Sequence, residues 1–182
     1  MTDKIQPNFM QLPSIKYGGS AIGRAALAVA INELKSGAKE IGGANSGEWV
    51  KKYLNGLAPK GSSWCAAFVS YCFANSGFQI PFQYSVSARD LFNQLKSRSW
   101  SYNRESGITP EPGDIVVWWR GAPDGWQGHT GIVHHFSNGC LYTIEGNRTL
   151  KVEGFTYRLN TMRKLLGLGR VPDSSLPDSN AV

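Results

Sequence analysis

The chain has 182 residues, 41% of them hydrophobic and 18% charged, which suits one soluble globular domain with a real core. A formal charge of +6 and a pI near 9.3 favour an anionic partner or surface, yet the basic residues are scattered. There is no aromatic-and-basic ladder of a nucleic-acid module, no zinc spacing, and only three cysteines, so DNA or RNA binding, a metal cofactor and a disulfide scaffold are all disfavoured.

Residues 1–19 are polar and read as an N-terminal extension. The apolar stretch Ala21 to Ile31 is too short to span a membrane and is broken by Arg24, so neither an export signal nor membrane insertion is expected. It reads instead as a helix over Ala21 to Ser36, capped by Ser20 and stopped at Gly37. A second helix is expected over Gly47 to Asn55, between a Ser46 cap and a Gly56 stop. A third runs about Trp64 to Ser76, with Ser62 or Ser63 as N-cap and Gly77 past its end. Its residues Cys65, Phe68, Val69, Cys72 and Phe73 recur at helical spacing, as one buried stripe. A fourth, Val86 to Lys96, opens with Ser87-x-x-Asp90, close to a capping box, and turns Ala88, Leu91, Phe92 and Leu95 inward.

After Trp100 the texture changes to strands. Pro112-Gly113-Asp114 is a turn, and Ile115 to Trp119 is an apolar run. Further strands are expected over His129 to Phe136, Cys140 to Glu145, Leu150 to Glu153, Phe155 to Arg158 and Lys164 to Arg170. Helices followed by an antiparallel sheet make an α+β domain over residues 20–170, with a loosely attached tail, 171–182, rich in proline and serine.

Cys65 is the residue that invites chemistry. It lies in the first turn of its helix, where unpaired backbone N–H groups and the helix dipole favour a thiolate. Cys72 and Cys140 read as small buried hydrophobes. Cys65 and Cys72 are separated by about 10.5 Å along the helix axis, too far for a disulfide.

His129 enters its strand from a glycine-rich loop, and Glu145-Gly146-Asn147 follows. A three-residue Ser137-Asn138-Gly139 hairpin loop would set Phe136 against Cys140. That register places His129 opposite Asn147 and the bare Gly131 opposite Glu145, with all three side chains on one face. A two-residue Asn138-Gly139 turn would slip the pairing by one and turn His129 away, so the three-residue loop is the expected one. His134 points to the other face, and His135 sits toward the hairpin end. Trp118, Trp119 and Trp126 are read as core and groove lining.

The ordered motifs Trp64-Cys65-Ala66-Ala67-Phe68-Val69, Pro112-Gly113-Asp114-Ile115-Val116-Val117-Trp118, Gly128-His129-Thr130-Gly131-Ile132-Val133 and Ile144-Glu145-Gly146-Asn147 resemble the CHAP family of cysteine, histidine-dependent amidohydrolases and peptidases, within the NlpC/P60-type, papain-like enzymes. The resemblance implies a papain-like fold with the nucleophile at a helix N-terminus packed on the sheet that bears the histidine. It implies cleavage of bacterial peptidoglycan, by an N-acetylmuramoyl-L-alanine amidase or a stem endopeptidase, without cofactor. It carries catalytic roles onto Cys65, His129, Glu145 and Asn147.

In that chemistry Cys65 attacks an amide carbonyl, His129 moves the proton, and Glu145, assisted or replaced by Asn147, fixes the imidazole. The Cys65 N–H is the natural oxyanion donor. No glutamine stands between Leu54 and Trp64 to supply a second donor in the manner of papain, which leaves the Ser62 or Ser63 hydroxyl. Trp64, Trp118 and Trp126 are the expected substrate-binding rings. The alternatives are an amidase acting on a small-molecule or polyamine amide, and a non-catalytic wall-binding module stacking Trp118, Trp119 and Trp126 on sugar faces. A monomer without an export signal resembles phage endolysins and effectors delivered by specialised secretion, the latter with an immunity partner.

Overall fold

The computed structural model describes residues 7–173. Four helices come first: α1 (Ala21–Lys35), α2 (Glu48–Leu54), α3 (Cys65–Ala74) and α4 (Ala88–Ser97). Six strands follow: β1 (Ser101–Tyr102), β2 (Ile115–Trp119), β3 (Gly128–Ser137), β4 (Cys140–Glu145), β5 (Glu153–Arg158) and β6 (Leu165–Gly169). They form one antiparallel sheet in the order β1-β6-β2-β3-β4-β5. The α+β expectation is met, and β1 is the one strand the sequence pattern did not show, because two residues are too few to carry a period.

Alternation along the strands sorts the core into two layers. Ile115, Val117, Ile132 and Ile144 join the main core with the helices, whereas Val116, Trp118, Val133 and Leu141 join a smaller cluster with Leu168 and Met162. Helix α3 is buried nearly all round, from Cys65 through Val69 and again at Ser70, Cys72 and Phe73. The expected single stripe was too narrow: α3 is the central helix, covered by α1, α2, α4 and the sheet.

Helix starts follow local chemistry at α1 and α4, where Ser20 accepts from the Gly23 N–H and Ser87 from the Asp90 N–H. At α2 and α3 the expected serine caps are not used. Gly47 stands at the N-cap of α2, and Ser46 bonds the Ala44 carbonyl instead. The turn before β2 is welded to α1 by close backbone contact: a Cβ on Gly113 would stand 2.1 Å from the Gly23 carbonyl carbon. The next residue, Asp114, is buried and gripped by Arg170 at 2.8 and 2.9 Å and by the Tyr102 hydroxyl.

The segment read as an extension packs on the domain from Pro7 onward. The Phe9 ring fills the space above Gly154 and meets the His134 ring edge-on at 5.5 Å, while Arg24 binds the carbonyls of Pro13 and Gly18. At the other end Val171 is buried, and the Asp173 carboxylate accepts from the Ala21 N–H at 2.7 Å. The rest of the expected tail, 174–182, lies outside the described residues, as do residues 1–6.

The β3–β4 hairpin corrects the expected register. Its loop is the two-residue Asn138-Gly139 turn, both residues at positive φ (51° and 75°), with Ser137 paired to Cys140 and Phe136 to Leu141. A bulge between Val133 and His135 then inserts one residue into β3, so that Val133 faces Thr143 and Ile132 faces Ile144. Beyond the bulge the pairing is the one a three-residue loop would have produced. Gly131 therefore lies across from Glu145, as expected, though by a different route.

Candidate active site

The site begins where α3 begins. Cys65 is the first residue of the helix, so its N–H has no acceptor within the helix. Trp64 occupies the N-cap without a side-chain capping bond, and neither Ser62 nor Ser63 replaces it. The support comes from far along the chain: the Asn147 Oδ1 accepts from the Trp64 N–H at 2.8 Å. Asn147 holds this position at φ 64°, which asparagine tolerates better than most residues. Its Nδ2 donates to Glu40 Oε1 and Asn45 Oδ1, at 3.2 and 2.8 Å, and Glu40 Oε1 also accepts from the Trp64 indole at 3.0 Å. Glu40, Asn45, Asn147 and Trp64 thus form one polar frame behind the nucleophile.

His129 is presented by β3 and is 5% exposed. Its Nε2 is bonded to Glu145 Oε2 at 2.7 Å, and Cys65 is the other group that acts on the imidazole's proton. Trp118, paired with His129 across β2 and β3, stacks on the imidazole at 5.5 Å. Glu145 has no solvent exposure; its Oε1 accepts from Thr143 at 2.6 Å and from Tyr157 at 2.8 Å. A buried carboxylate is tolerated only when hydrogen bonds compensate its lost hydration, and here three do, from His129, Thr143 and Tyr157.

Electrostatically, burial alone would hold His129 neutral. The hydrogen bonds and charges of Cys65 and Glu145 outweigh it and raise the imidazole to about 9, so it carries a proton at neutral pH. Cys72 differs: burial, then the Glu33 charge, pushes its thiol well up. His134 and His135, which share a ring-to-ring hydrogen bond of 2.8 Å at the bulge, are both held down, first by burial.

Of the sequence-derived candidates, Cys65, His129 and Glu145 converge. Asn147 does not touch His129; its amide is spent on the Trp64 backbone, Glu40 and Asn45. Trp64 is wholly buried, stacked on Tyr53 at 5.5 Å and packed against Gly146, so it offers no face to a substrate. Trp118 is 3% exposed and is likewise occupied, by His129 and Tyr157. Trp126, 82% exposed, is the one of the three with a free ring face. The residues that sequence reasoning missed are Glu40, Asn45, Thr143 and Tyr157. Thr143 carried a signal, being two residues from Glu145 on the same strand face; Glu40 and Asn45, in a loop over a hundred residues upstream, carried none.

The CHAP domain model matches residues 57–147, half of the chain, from just before α3 to Asn147. The chain belongs to the CHAP family. No curated protein matches it significantly. CHAP domains are cysteine- and histidine-dependent amidohydrolases and peptidases associated with peptidoglycan, and all four of the sequence-derived catalytic candidates fall within the matched segment. The arrangement of this CHAP domain, helices on an antiparallel sheet with Cys65 at a helix N-terminus, is papain-like.

Proposed function

We propose that this CHAP protein hydrolyses bacterial peptidoglycan at an amide bond in or next to the peptide stem, with Cys65 as nucleophile. The observation that carries the reading is the buried His129–Glu145 pair, 2.7 Å apart, whose imidazole is raised by that carboxylate and by Cys65 at the start of α3.

In this mechanism the Cys65 sulfur, its proton on His129, attacks the amide carbon. A C–S bond forms and the carbonyl electron pair moves to oxygen, next to the Cys65 N–H. Collapse of this intermediate breaks the C–N bond, and His129 gives its proton to the departing amine. A water then loses a proton to His129 and attacks the thioester, releasing the acid and restoring the thiol. Glu145 keeps its hydrogen bond to Nε2 throughout, which fixes the tautomer and the ring plane. The enzyme acts on the wall after lysis, as a phage lysin, or after specialised secretion, as an antibacterial effector.

Digestion of purified sacculi, followed by mass spectrometry, tests the reading. New amino termini with their paired carboxylates are expected, and Cys65→Ala should release none. New reducing sugars would mean glycosidase chemistry, and intact sacculi with rapid turnover of a polyamine amide would move the assignment to a small-molecule amidase.

A further inference from the structure

Trp118 and Tyr157, which flank the His129–Glu145 pair, also line a cavity of about 470 Å³. Five basic side chains line the same cavity, Arg120, Arg148, Arg158, Arg163 and Lys164, and no acidic residue does. The volume lies in the range of small-molecule sites.

These charges are largely unspent. Among the described residues Arg120, Arg158, Arg163 and Lys164 make no ion pair. Arg148 reaches Glu145 only at 3.9 Å, and Glu145 is already held by His129, Thr143 and Tyr157. The Arg148 guanidinium lies over the rings of Phe155 and Tyr157, at 4.8 and 5.1 Å. Stacking uses the faces of the guanidinium and leaves its N–H edge to donate. Arg120 spends one N–H on the Trp119 carbonyl.

Arg120 connects the cavity to the reaction. Burial and then repulsion from Arg148 lower its affinity for a proton, against the attraction of Glu145 and Cys65. Arg148 makes the link geometric, its Nη1 lying 3.9 Å from the same Glu145 Oε2 that holds His129. Like charges gathered in a half-buried pocket disfavour the empty state and favour one with an anion between them.

The geometry points to a subsite for a carboxylate of the substrate itself, held by Arg120 and Arg148 a few bonds from the scissile amide. It rests on the proposed hydrolysis of stem amides. A carboxylate fits better than the phosphates of an accompanying wall polymer, because the cavity shares Trp118 and Tyr157 with the walls of the His129–Glu145 pair and so receives what is covalently continuous with the bond being cut. A bidentate guanidinium–carboxylate contact also sets the substrate's orientation.

The test is calorimetric titration of the Cys65→Ala protein with a synthetic stem tetrapeptide bearing free carboxylates, and with its fully amidated counterpart. The acid should bind about tenfold more tightly. Arg120→Gln and Arg148→Gln, made in the same background, should each shrink that preference. Equal affinities for the two peptides overturn the subsite, as do a preference that survives both substitutions and binding of neither peptide. Binding of a glycerol-phosphate oligomer that is weakened by these substitutions, with no acid preference, overturns the carboxylate assignment. Sacculi dissolved by the unaltered enzyme without any acid preference remove the subsite alone; intact sacculi remove the hydrolase reading.

Discussion

Gly131 faces Glu145 across β3 and β4 so closely that a Cβ on Gly131 would stand 2.5 Å from the Glu145 Cγ. The carboxylate side chain occupies the volume that any other residue would need. Glu145 cannot swing aside, since His129, Thr143 and Tyr157 hold its two oxygens. Gly131→Ala should therefore cost about 1–3 kcal/mol of stability, the usual range for overpacking. It should also lower kcat by more than it changes KM, because the displaced group orients the histidine. Chemical denaturation and steady-state kinetics on the same preparation check both; an active, fully stable variant would refute the packing argument.

The three cysteines should separate cleanly. Cys65→Ala or Cys65→Ser should lower kcat more than about a thousandfold with the fold intact. Cys72→Ala leaves a small void in the core and should cost about 1–2 kcal/mol while keeping most activity. Cys140→Ala should do little to either. Iodoacetamide labelling at neutral pH, read by peptide mass spectrometry, should favour Cys65 over the buried Cys72.

The pH profile carries a sign. His129 is raised above its ordinary 6.5 to about 9, so its folded-state stabilisation is fully present below 6.5 and is lost as pH rises through about 9. Activity that needs the imidazolium should fall over the same alkaline limb. Glu145→Gln removes one of the groups that hold the proton, so that limb should move to lower pH while kcat falls. A limb unmoved by this substitution would mean that Glu145 does not act on His129.

Asn147 should behave as a positioning residue. Asn147→Ala leaves the buried Trp64 N–H without its acceptor, a loss of about 1–3 kcal/mol. It should lower kcat by loosening the start of α3, yet leave the alkaline limb set by His129 and Glu145 in place. A shift of that limb in Asn147→Ala would instead place the amide in the relay.

Acid should find a different weak point. His134 and His135 are held below their ordinary value, first by burial, with His135 at about 4. Their contribution to stability is present above 6.5 and is lost as pH falls toward 4. Replacing His135 with glutamine should flatten the dependence of stability on pH in that window, as measured by denaturant midpoints.

Much of this was legible in the residue pattern, for reasons that differ by element. Ser20 and Ser87 cap α1 and α4 because a side-chain oxygen three residues upstream of a free N–H is a local rule. The Cys65 motif, His129 and Glu145 stood out because first-turn placement and strand parity are local too. What remained hidden depends on distant partners. Nothing around Trp64 signals that Asn147 would take over its capping, or that Glu40 would accept from the indole. Trp64 and Trp118 invite a substrate role in sequence because tryptophan is amphipathic, whereas Tyr53 and His129 packing on them decide their burial.

The extra residue in β3 separates two properties that a plain hairpin would lock together. In a regular ladder, altering the turn by one residue flips every side chain to the opposite face, so loop changes and catalysis cannot vary independently. Here the bulge between Val133 and His135 absorbs that phase difference midway. The tip can follow the tight Asn138-Gly139 geometry, while the root keeps His129 on the side of Glu145. The handedness of the site is thus stored in one inserted position rather than in the turn. If the bulge were flattened with every residue kept, the pairing of the tip would run on to the root, His129 would meet Arg148, and its side chain would leave the face that carries Glu145.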